Sequence, residues 1–417
     1  MNPVRYVLSD IVGFINLVKS DDKTTELNLS TLKLNRVKCR TENKTSYKII
    51  RYDKNFLSYD LVRSYGLCRS VIVNNNSKVV GFAPPKSISS EDFIGTYPEN
   101  ENNIIAEEFI EGTMINVFWD DSIGLTGGWE IATRNTIGAT SSFYKGSSAK
   151  TFRDMFLEAA KEENLLLESL NKQHCYSFVL QHPENRIVVP FKKPQLYLVA
   201  VYQINNYDNE VYVDVYDREE YKDYFKTHDC SVKFPEKYTF NTYSELIGKY
   251  GSMNTSYDIV GVVLHNKVTC ERAKIRNPVY EQVRNLRGNQ PKLQYQYLCL
   301  RKEGKVKDFL KFYPENKKEF SGFRDQVHLF TDRLFENYIS CYIRKEKPLK
   351  EFPDQYRTHM YNIHQKFLTE LREKHLFITN TIVQRYVNEL HPSLLMYCLN
   401  FQMRKRNVDI IVVDSEL

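Results

Sequence analysis

The chain has 417 residues, of which 42% are hydrophobic and 26% are charged, and its formal net charge is +6. This composition is that of a soluble globular protein with a buried core, and the length is sufficient for two or three domains. No segment approaches the ~18 uncharged apolar residues of a membrane span, so the sequence predicts no membrane association. The small basic excess permits a polyanionic partner without requiring one.

The eight cysteines lie singly along the chain, and no two of them are two to four residues apart. This spacing argues against a zinc knuckle and predicts reduced thiols in a cytosolic compartment. Near the N-terminus, Asp10 interrupts an apolar stretch and no small-residue cleavage pattern follows it, which argues against a signal peptide. The sequence therefore predicts a cytoplasmic location.

The first 135 residues predict mainly strands. Residues 1–60 mix short apolar runs with charged residues and indicate a helix followed by strands. Asn-rich, Pro-Pro and Gly-Gly breakers then separate four apolar runs, which predict strands. These runs are Leu67–Val73, Lys78–Phe82, Met114–Phe118 and Gly128–Thr133. The pair Gly127-Gly128 lacks the context of a dinucleotide-binding loop and is interpreted as a hairpin turn.

The middle of the chain adds a helix and further strands. Residues 149–170 place apolar side chains at helical spacing, from Phe152 to Ala160. Apolar runs at 175–190, 196–204 and 257–264 predict strands. Strands that flank a helix without regular alternation favour an α+β fold over a doubly wound sheet.

The pattern changes near residue 290, where apolar residues begin to recur at intervals of three and four. One such face runs from Phe323 to Cys341, a second from Tyr356 to Leu371, and a third from Val383 to Leu390. This periodicity predicts a helical domain at the end of the sequence. The basic cluster Arg404-Lys405-Arg406 is interpreted as a solvated helix end.

The segment Pro183–Val188 reads Pro-Glu-Asn-Arg-Ile-Val and follows a predicted strand. It resembles the third nucleotidyltransferase motif of phage-type RNA ligases. Other stretches resemble the remaining motifs of that family in the same order. These stretches are CRSVIV and KVVGFAPPKS before the nucleophile motif, EEFIEGT at that motif, IATRNTIGA after it, IVGVVL at the fourth motif and AKIRNPVY at the fifth. The resemblance covers about residues 60–285 and implies a viral source.

The resemblance also implies a fold. It predicts an α+β nucleotidyltransferase (ATP-grasp-like ligase) domain of antiparallel sheets with helices, and an all-helical C-terminal domain. The predicted division assigns 1–60 to the N-terminal part of the nucleotidyltransferase domain, 61–289 to its core, and 290–417 to the helical domain.

RNA ligases of this family begin catalysis with a lysine that attacks the α-phosphate of ATP and becomes adenylated. The lysine stands in a Lys-x-Asp-Gly motif, and Gly112 sets the register of that motif in this sequence. Phe109 then occupies the nucleophile position, and Glu111 occupies the aspartate position. Because phenylalanine has no nucleophilic atom, the resemblance predicts that the ligase chemistry is lost.

Two motif glutamates are replaced as well. The glutamate position of the third motif is Val179, or Gln181 if the alignment slips by two residues, and that of the fourth motif is Val260. Valine and glutamine lack the negative charge that a magnesium site needs, so the sequence predicts no metal site. Asp258 is the one nearby carboxylate and is expected on the same strand face as Val260, where it could partly compensate.

The cations of the family's phosphate-binding set remain. The resemblance assigns nucleotide or phosphate binding to Arg69, Lys86, Glu111, Gly112, Lys274 and Arg276, and as further possibilities to Arg134, Arg186 and Asp258. Guanidinium and ammonium groups suit phosphate. Considered without the resemblance, two such cations usually belong to a solvated strand face, and only their place in the motif order favours phosphate binding.

Three functions remain open from the sequence. The leading hypothesis is a non-catalytic RNA-ligase-like protein that binds RNA or a nucleotide, or acts as a scaffold for a protein partner, with no cofactor. The first alternative is an active ATP-dependent RNA ligase that uses ATP and magnesium with a relocated lysine. Candidates for that lysine are Lys86, Lys145 and Lys150. The second alternative is a structural or assembly protein that binds no nucleotide.

Overall fold

The computed structural model describes residues 4–20, 31–39, 41, 43–99, 103–143 and 149–403. The chain divides into two compact units, Met1–Gln282 and Val283–Leu417. The first unit carries the described strands and the second is helical.

The strands of the first unit are β1 (Arg5–Val7), β2 (Leu32–Lys38), β3 (Ser46–Tyr52), β4 (Val71–Val73), β5 (Val79–Phe82), β6 (Ile104–Glu108), β7 (Thr113–Asp120), β8 (Gly128–Ala132), β9 (His174–Gln181), β10 (Gln195–Asn206), β11 (Val211–Tyr216), β12 (Lys237–Tyr238), β13 (Gly261–Asn266) and β14 (Arg272–Arg276). Its helices are α1 (Phe14–Lys19), α2 (Val62–Tyr65), α3 (Ser90–Thr96), α4 (Phe152–Glu162), α5 (Glu220–Thr227) and α6 (Tyr243–Tyr250), and α7 (Pro278–Arg287) contains the boundary between the units.

The strands form three sheets, and every strand pair within them is antiparallel. Sheet I has the order β1-β11-β10-β9-β7-β8, sheet II the order β2-β3-β4-β5, and sheet III the order β12-β6-β13-β14. Antiparallel sheets with helices confirm the predicted α+β class. The predicted hairpin turn is also confirmed, because β7 pairs with β8 and Gly127 between them has a φ of 80°.

Sheet I is buried on both faces. One face packs against sheet II, where Phe82 meets Tyr202 in an edge contact with ring centroids 4.9 Å apart. The other face packs against α4, where Phe156 meets Phe178 at 5.9 Å. Helix α4 begins at a capping box in which the side chains of Thr151 and Asp154 each accept a hydrogen bond from the other's backbone nitrogen. A strand buried on both faces explains why β9 is apolar along most of its length.

Sheet III has one apolar and one polar face. The apolar face packs against α3 and α6 through alternate residues of each strand, such as Ala106, Val262 and Ile275. The opposite face carries charged side chains. Because successive side chains of a strand point to opposite faces, Glu107, Val263 and Lys274 share that polar face.

The second unit is helical, as predicted. Its helices are α8 (Leu293–Lys302), α9 (Val306–Phe312), α10 (Lys317–Tyr338), α11 (Asp354–Lys366), α12 (Asn380–Glu389) and α13 (Pro392–Leu399). In α10 the buried side chains include Val327, Phe330, Leu334 and Tyr338, four of the residues whose spacing predicted the helix. The basic cluster at 404–406 lies outside the described residues. Within the described ranges, no helix is both long and apolar enough to cross a membrane.

One local prediction was wrong. Asp258 does not share a strand face with Val260, because β13 begins only at Gly261 and the residues before it form turns. The Asn277 side-chain amide donates to the Ser256 carbonyl oxygen at 2.7 Å and to the Ile259 carbonyl oxygen at 2.8 Å, and so holds this segment out of the sheet. Asp258 is exposed there.

Candidate functional site

The polar face of sheet III consists of three cross-strand rows. In one row, Val263 on β13 pairs with Glu107 on β6 and with Lys274 on β14. The next row pairs Gly261 with Arg276, and Phe109 follows directly after the end of β6 beside them. The third row, at the other end of the strands, contains His265 and Arg272.

Phe109 lies beneath two cations of β14, which is separated from β6 by β13. The Lys274 Nζ is 4.4 Å from the centroid of the ring, and the Arg276 Cζ is 5.4 Å from it. Gly261 stands between them and has no side chain, so the ring can extend across the middle strand. Cation–π contacts of this kind stabilise by about 0.5–1 kcal/mol at exposed sites, and they hold both cations on the polar face.

The two cations differ in their partners. Arg276 is exposed and forms an ion pair with Glu281, with 2.6 Å between Nη1 and Oε1. Lys274 is half-buried. It belongs to the same cross-strand row as Glu107 and Val263, and its amine lies over the Phe109 ring. An exposed ion pair contributes little to stability, so Arg276 can exchange Glu281 for another anion at small cost.

Glu111 and Gly112 are held by the protein backbone. The buried Glu111 carboxylate accepts hydrogen bonds from the backbone nitrogens of Val188 at 2.9 Å and Val189 at 3.1 Å. Burial raises the pKa of Glu111, although these hydrogen bonds oppose the shift. Gly112 has a φ of 150°, and a Cβ atom there would lie 2.4 Å from the Leu180 carbonyl oxygen. Glu111 therefore joins the segment that resembles the nucleophile motif to the turn after β9, and Gly112 lets this segment approach β9 closely.

The two valines that the resemblance assigns to the family's glutamate positions are buried. Val179 and Val260 are each only 6% exposed, and a Cβ atom at Gly112 would lie 2.6 Å from the Val179 Cγ1. Gln181, the alternative to Val179, donates through Nε2 to the Glu111 carbonyl oxygen at 3.0 Å. None of these three side chains is a carboxylate.

One buried carboxylate does lie on the polar face. Glu107 forms an ion pair with Arg218 and lies 3.3 Å from the His265 Nε2. Burial opposes its ionisation, yet the hydrogen bonds and charges of His265 and Arg218 lower the pKa of Glu107 to about 2. Burial lowers the pKa of His265, so Arg218, whose guanidinium stays charged, is the permanent cation beside Glu107.

Four half-buried arginines form a cationic group next to the third row. This arginine group consists of Arg51, Arg69, Arg134 and Arg272. Burial and the charges of Arg272 and Arg134 lower the pKa of Arg69 to about 10. Within the described part of the chain, the buried Nε atoms of Arg51, Arg134 and Arg272 have no hydrogen-bond partner. Clustered guanidinium groups with unfilled donors suit an anion.

Backbone contacts bring the arginine group together. The Ser70 Oγ donates to the Arg134 carbonyl oxygen at 3.0 Å, which joins the turn after β8 to the residue next to Arg69. The Arg134 guanidinium lies over the Tyr52 ring, 5.2 Å from its centroid. Arg272 donates to the Pro84 carbonyl oxygen at 3.2 Å, close to the Pro-Pro segment of the sequence.

The remaining predicted cations lie elsewhere. Lys86 is exposed and lines a cavity of about 380 Å³ that Arg272 also lines. Arg186 donates through Nε to the Val188 carbonyl oxygen at 2.9 Å. Lys150 pairs with Glu158 at 2.7 Å and Glu184 at 2.8 Å, and these carboxylates raise the pKa of its amine. Lys145 lies outside the described residues.

Some residues of the site were not predicted from the sequence. The alternation of Arg272 with Lys274 and Arg276, and the position of Glu107 two residues before Phe109, are local signals that could have identified them. Arg51 and Arg218 come from distant segments, so no local pattern identifies them. In the described ranges, no group of three or more His, Cys, Asp or Glu side chains could hold a metal ion.

The sequence was compared with known proteins. No family model matches it. An RNA ligase of Rhodothermus phage RM378 is 25% identical over 292 residues, which are 62% of this chain and 64% of the ligase. The immediate-early protein ICP-46 homolog of Invertebrate iridescent virus 6 is 25% identical over 334 residues, which are 74% of this chain and 69% of that protein. The predicted resemblance to viral RNA ligases is confirmed.

The match to the phage RNA ligase thus spans just under two thirds of that ligase. Among solved structures, an archaeal ATP-dependent RNA ligase is 11% identical and aligns with a TM-score of 0.35, over 70% of this chain and 67% of that one. In this chain, which is similar to viral RNA ligases, residues of three stretches that resemble ligase motifs lie close together. Lys274 and Arg276 lie over the Phe109 ring, and a Cβ atom at Gly112 would meet Val179.

Proposed function

We propose that this protein is a non-catalytic relative of RNA ligases, and that it binds the phosphates of RNA or of a nucleotide on the polar face of sheet III. One observation carries the proposal. Lys274 and Arg276 cover the ring of Phe109 at 4.4 Å and 5.4 Å, and the resemblance assigns Phe109 to the position of the family's lysine. A ring at this position cannot attack a phosphate, whereas the two cations can still bind one.

Neither Phe109 nor Lys150 has the free amine that adenylation requires. Adenylation needs an amine with a free electron pair at the position where Phe109 stands. Lys150, a candidate for a relocated nucleophile, is paired with two carboxylates that raise its pKa, so its amine stays protonated at neutral pH. A protonated amine has no electron pair to donate. This favours a non-catalytic protein over a ligase that uses Lys150.

Metal assistance would also need new ligands. Magnesium prefers carboxylate and phosphate oxygens at near-octahedral geometry. Val179 and Val260 offer apolar groups where the family carries glutamates, and Asp258 lies outside the strand and is exposed. Glu107 is already engaged by Arg218 and His265. The proposal therefore assigns no magnesium to this chain.

Phosphate binding remains possible because cations outnumber carboxylates at the site. Lys274 and Arg276 lie over Phe109, and Arg272 continues the same strand face toward the arginine group. Alternate residues of a strand are about 6.7 Å apart, so the three cations form a line along one face of β14. The eight free cysteines are consistent with the proposed cytoplasmic location, where thiols stay reduced.

The first prediction concerns adenylation. Incubation of the full chain with radiolabelled ATP and magnesium should give no covalent protein–AMP adduct, because Phe109 cannot form a phosphoramide bond. The product is separated on a denaturing gel, with an active RNA ligase as the positive control. A stoichiometric adduct that maps to Lys86, Lys145 or another lysine would contradict the proposal and establish the relocated-nucleophile alternative.

The second prediction concerns phosphate binding. The double variant Lys274→Ala/Arg276→Ala should bind a single-stranded oligouridylate more weakly than the wild type does. Its log–log dependence on salt concentration should be shallower by roughly 0.7 for each phosphate contact that is lost. Fluorescence anisotropy at several salt concentrations measures both quantities, and a titration with ATP tests whether a free nucleotide competes.

The double variant Lys161→Ala/Lys226→Ala is a matched control, because it removes two exposed lysines of the same unit that lie on helices α4 and α5 and not on sheet III. Its affinity should fall less, and its salt dependence should stay close to that of the wild type. Equal loss in both double variants would indicate a general charge effect and no specific site. A wild type that binds neither RNA nor ATP would favour the structural or assembly alternative.

A further inference from the structure

We infer that Arg218 is a positioning residue for phosphate binding, because it neutralises Glu107 and so keeps the polar face of sheet III positive around Lys274. The inference rests on the proposed function and adds a residue that no motif of the sequence indicates. Pairing with Arg218 allows the Glu107 carboxylate to remain on an anion-binding surface.

The sheet register places Glu107 close to the phosphate-binding cations. Glu107 and Lys274 flank Val263 on the two neighbouring strands, and all three side chains share one face. Neighbouring strands are about 4.8 Å apart, so the backbones of these two residues are about 10 Å apart. A free carboxylate at that distance would repel a phosphate bound by Lys274, because a partly buried site is screened weakly by salt.

Arg218 is well placed to prevent this repulsion. Its guanidinium pairs with the Glu107 carboxylate and also donates through Nη1 to the Val199 carbonyl oxygen at 2.6 Å. The side chains of Arg218 and Glu107 are only 12% and 5% exposed. Water therefore screens the charge of Glu107 weakly, and Arg218 supplies most of the compensation. His265 lies 3.3 Å from the other carboxylate oxygen, but burial lowers its pKa, whereas the Arg218 guanidinium is a permanent charge.

The neighbours of Arg218 extend the ion pair into a network. Glu219 lies 3.8 Å from the Arg218 Nε and forms ion pairs with Lys222 at 2.8 Å and Lys237 at 3.0 Å. Both lysines pair with Oε2 of Glu219, whereas its Oε1, the oxygen that faces the Arg218 Nε, has no hydrogen-bond partner in the described part of the chain. The two lysines compensate the charge of Glu219, and Arg218 makes its closer contact with Glu107. The positive charge of Arg218 is therefore directed mainly at Glu107.

The experiment compares three variants of the full chain, with a fluorescein-labelled oligouridylate of about 20 nucleotides as the probe. Arg218→Met should weaken binding about three- to tenfold, because it leaves the Glu107 charge uncompensated near Lys274. Glu107→Gln/Arg218→Met should restore the affinity to within about twofold of the wild type, because neither charge remains. Arg218→Lys should keep most of the affinity, because a cation is retained.

The control is Arg324→Met, which also removes one positive charge but lies in an exposed pair with Asp325 in the second unit. Circular dichroism gives the folded fraction of each variant, and affinities are compared per folded molecule. The double variant has no unpaired buried charge, so it stays informative if Arg218→Met folds poorly.

The outcomes separate the two proposals. Rescue by the double variant, compared per folded molecule, supports positioning, because it assigns the lost affinity to the uncompensated charge of Glu107 and not to the loss of Arg218 itself. A double variant that binds as weakly as Arg218→Met would show that Arg218 contacts the phosphate itself, and this would overturn the inference. Equal affinity of folded Arg218→Met and wild type would also overturn it. A wild type that binds neither the oligouridylate nor ATP would overturn the proposed function instead.

Discussion

Replacing Gly261 with alanine is expected to lower the free energy of unfolding by about 3–5 kcal/mol. Gly261 has a φ of 136°, a region that side chains other than glycine rarely adopt. A Cβ atom there would lie 2.1 Å from the Ile275 carbonyl oxygen and 3.0 Å from the Arg276 Cα. These are backbone atoms of the paired strand, so the clash can be relieved only by separating β13 from β14.

Chemical denaturation of wild type and variant at pH 7 measures the loss. Gly248→Ala is the matched control, because Gly248 lies in α6 and a Cβ atom added there would have no other atom within 4 Å. That control should be neutral or more stable by about 0.5–1 kcal/mol, as helical glycines replaced by alanine usually are. Equal stability of Gly261→Ala and wild type would mean that the two strands are not as closely packed as described.

The result matters for function because Gly261 belongs to the stretch that resembles the fourth ligase motif. Glycine is required there for two reasons. Its backbone conformation is one that other residues rarely adopt, and a side chain would occupy the space in which the Phe109 ring crosses β13. The glycine is therefore needed by the fold whether or not the protein is an enzyme. A retained motif glycine is accordingly no sign of retained catalysis.

The fold could be predicted from the sequence where periodicity was strong. The long apolar faces of α10, α11 and α12 and the apolar β9 repeat over enough residues to identify their class. Strand β6 and helices α5 and α6 were not predicted. In β6, the adjacent charges of Glu107 and Glu108 mask the apolar residues, and a buried ion pair satisfies the first of them. Tertiary contacts, and not the local sequence pattern, therefore determine that this segment is a strand.

The candidate site could be predicted only in part. The motif order was sufficient to associate Phe109 with Lys274 and Arg276, and the structure brings these three residues together. The residues around these three could not be predicted from the sequence. Arg218 and Arg51 belong to segments that are distant in the chain from the residues they approach. Asp258 was placed wrongly because the sequence pattern did not reveal where β13 begins.

Replacing Glu111 with alanine is expected to destabilise the protein by about 2–5 kcal/mol. The Glu111 carboxylate accepts from the backbone nitrogens of Val188 and Val189, and from the Tyr280 hydroxyl. Alanine would leave these buried donors without an acceptor and would open a cavity behind Gly112. The resemblance assigns Glu111 to nucleotide binding, whereas these contacts predict that its main role is to hold the turn after β9.

Glu111→Gln and the exposed-residue control Glu162→Ala complete the comparison. Glutamine keeps one acceptor oxygen, so it should lose less stability than alanine, and Glu162→Ala should stay within about 0.5 kcal/mol of the wild type. Denaturation curves measure these differences, and oligouridylate binding by folded Glu111→Gln should match that of the wild type. A stable Glu111→Gln that no longer binds would instead assign Glu111 to the ligand.

The pH dependence gives an independent check on Glu111. Burial raises its folded pKa above the unfolded value of about 4.3, so the native state binds more protons than the unfolded state between the two values. The contribution of Glu111 to stability is therefore full below about pH 4.3 and is lost as pH rises through the folded pKa. Glutamine does not titrate, so the difference in stability between Glu111→Gln and wild type should shift in favour of the variant as the pH rises over this range. A difference that is constant with pH would mean that burial does not raise the pKa of the Glu111 carboxyl group as described.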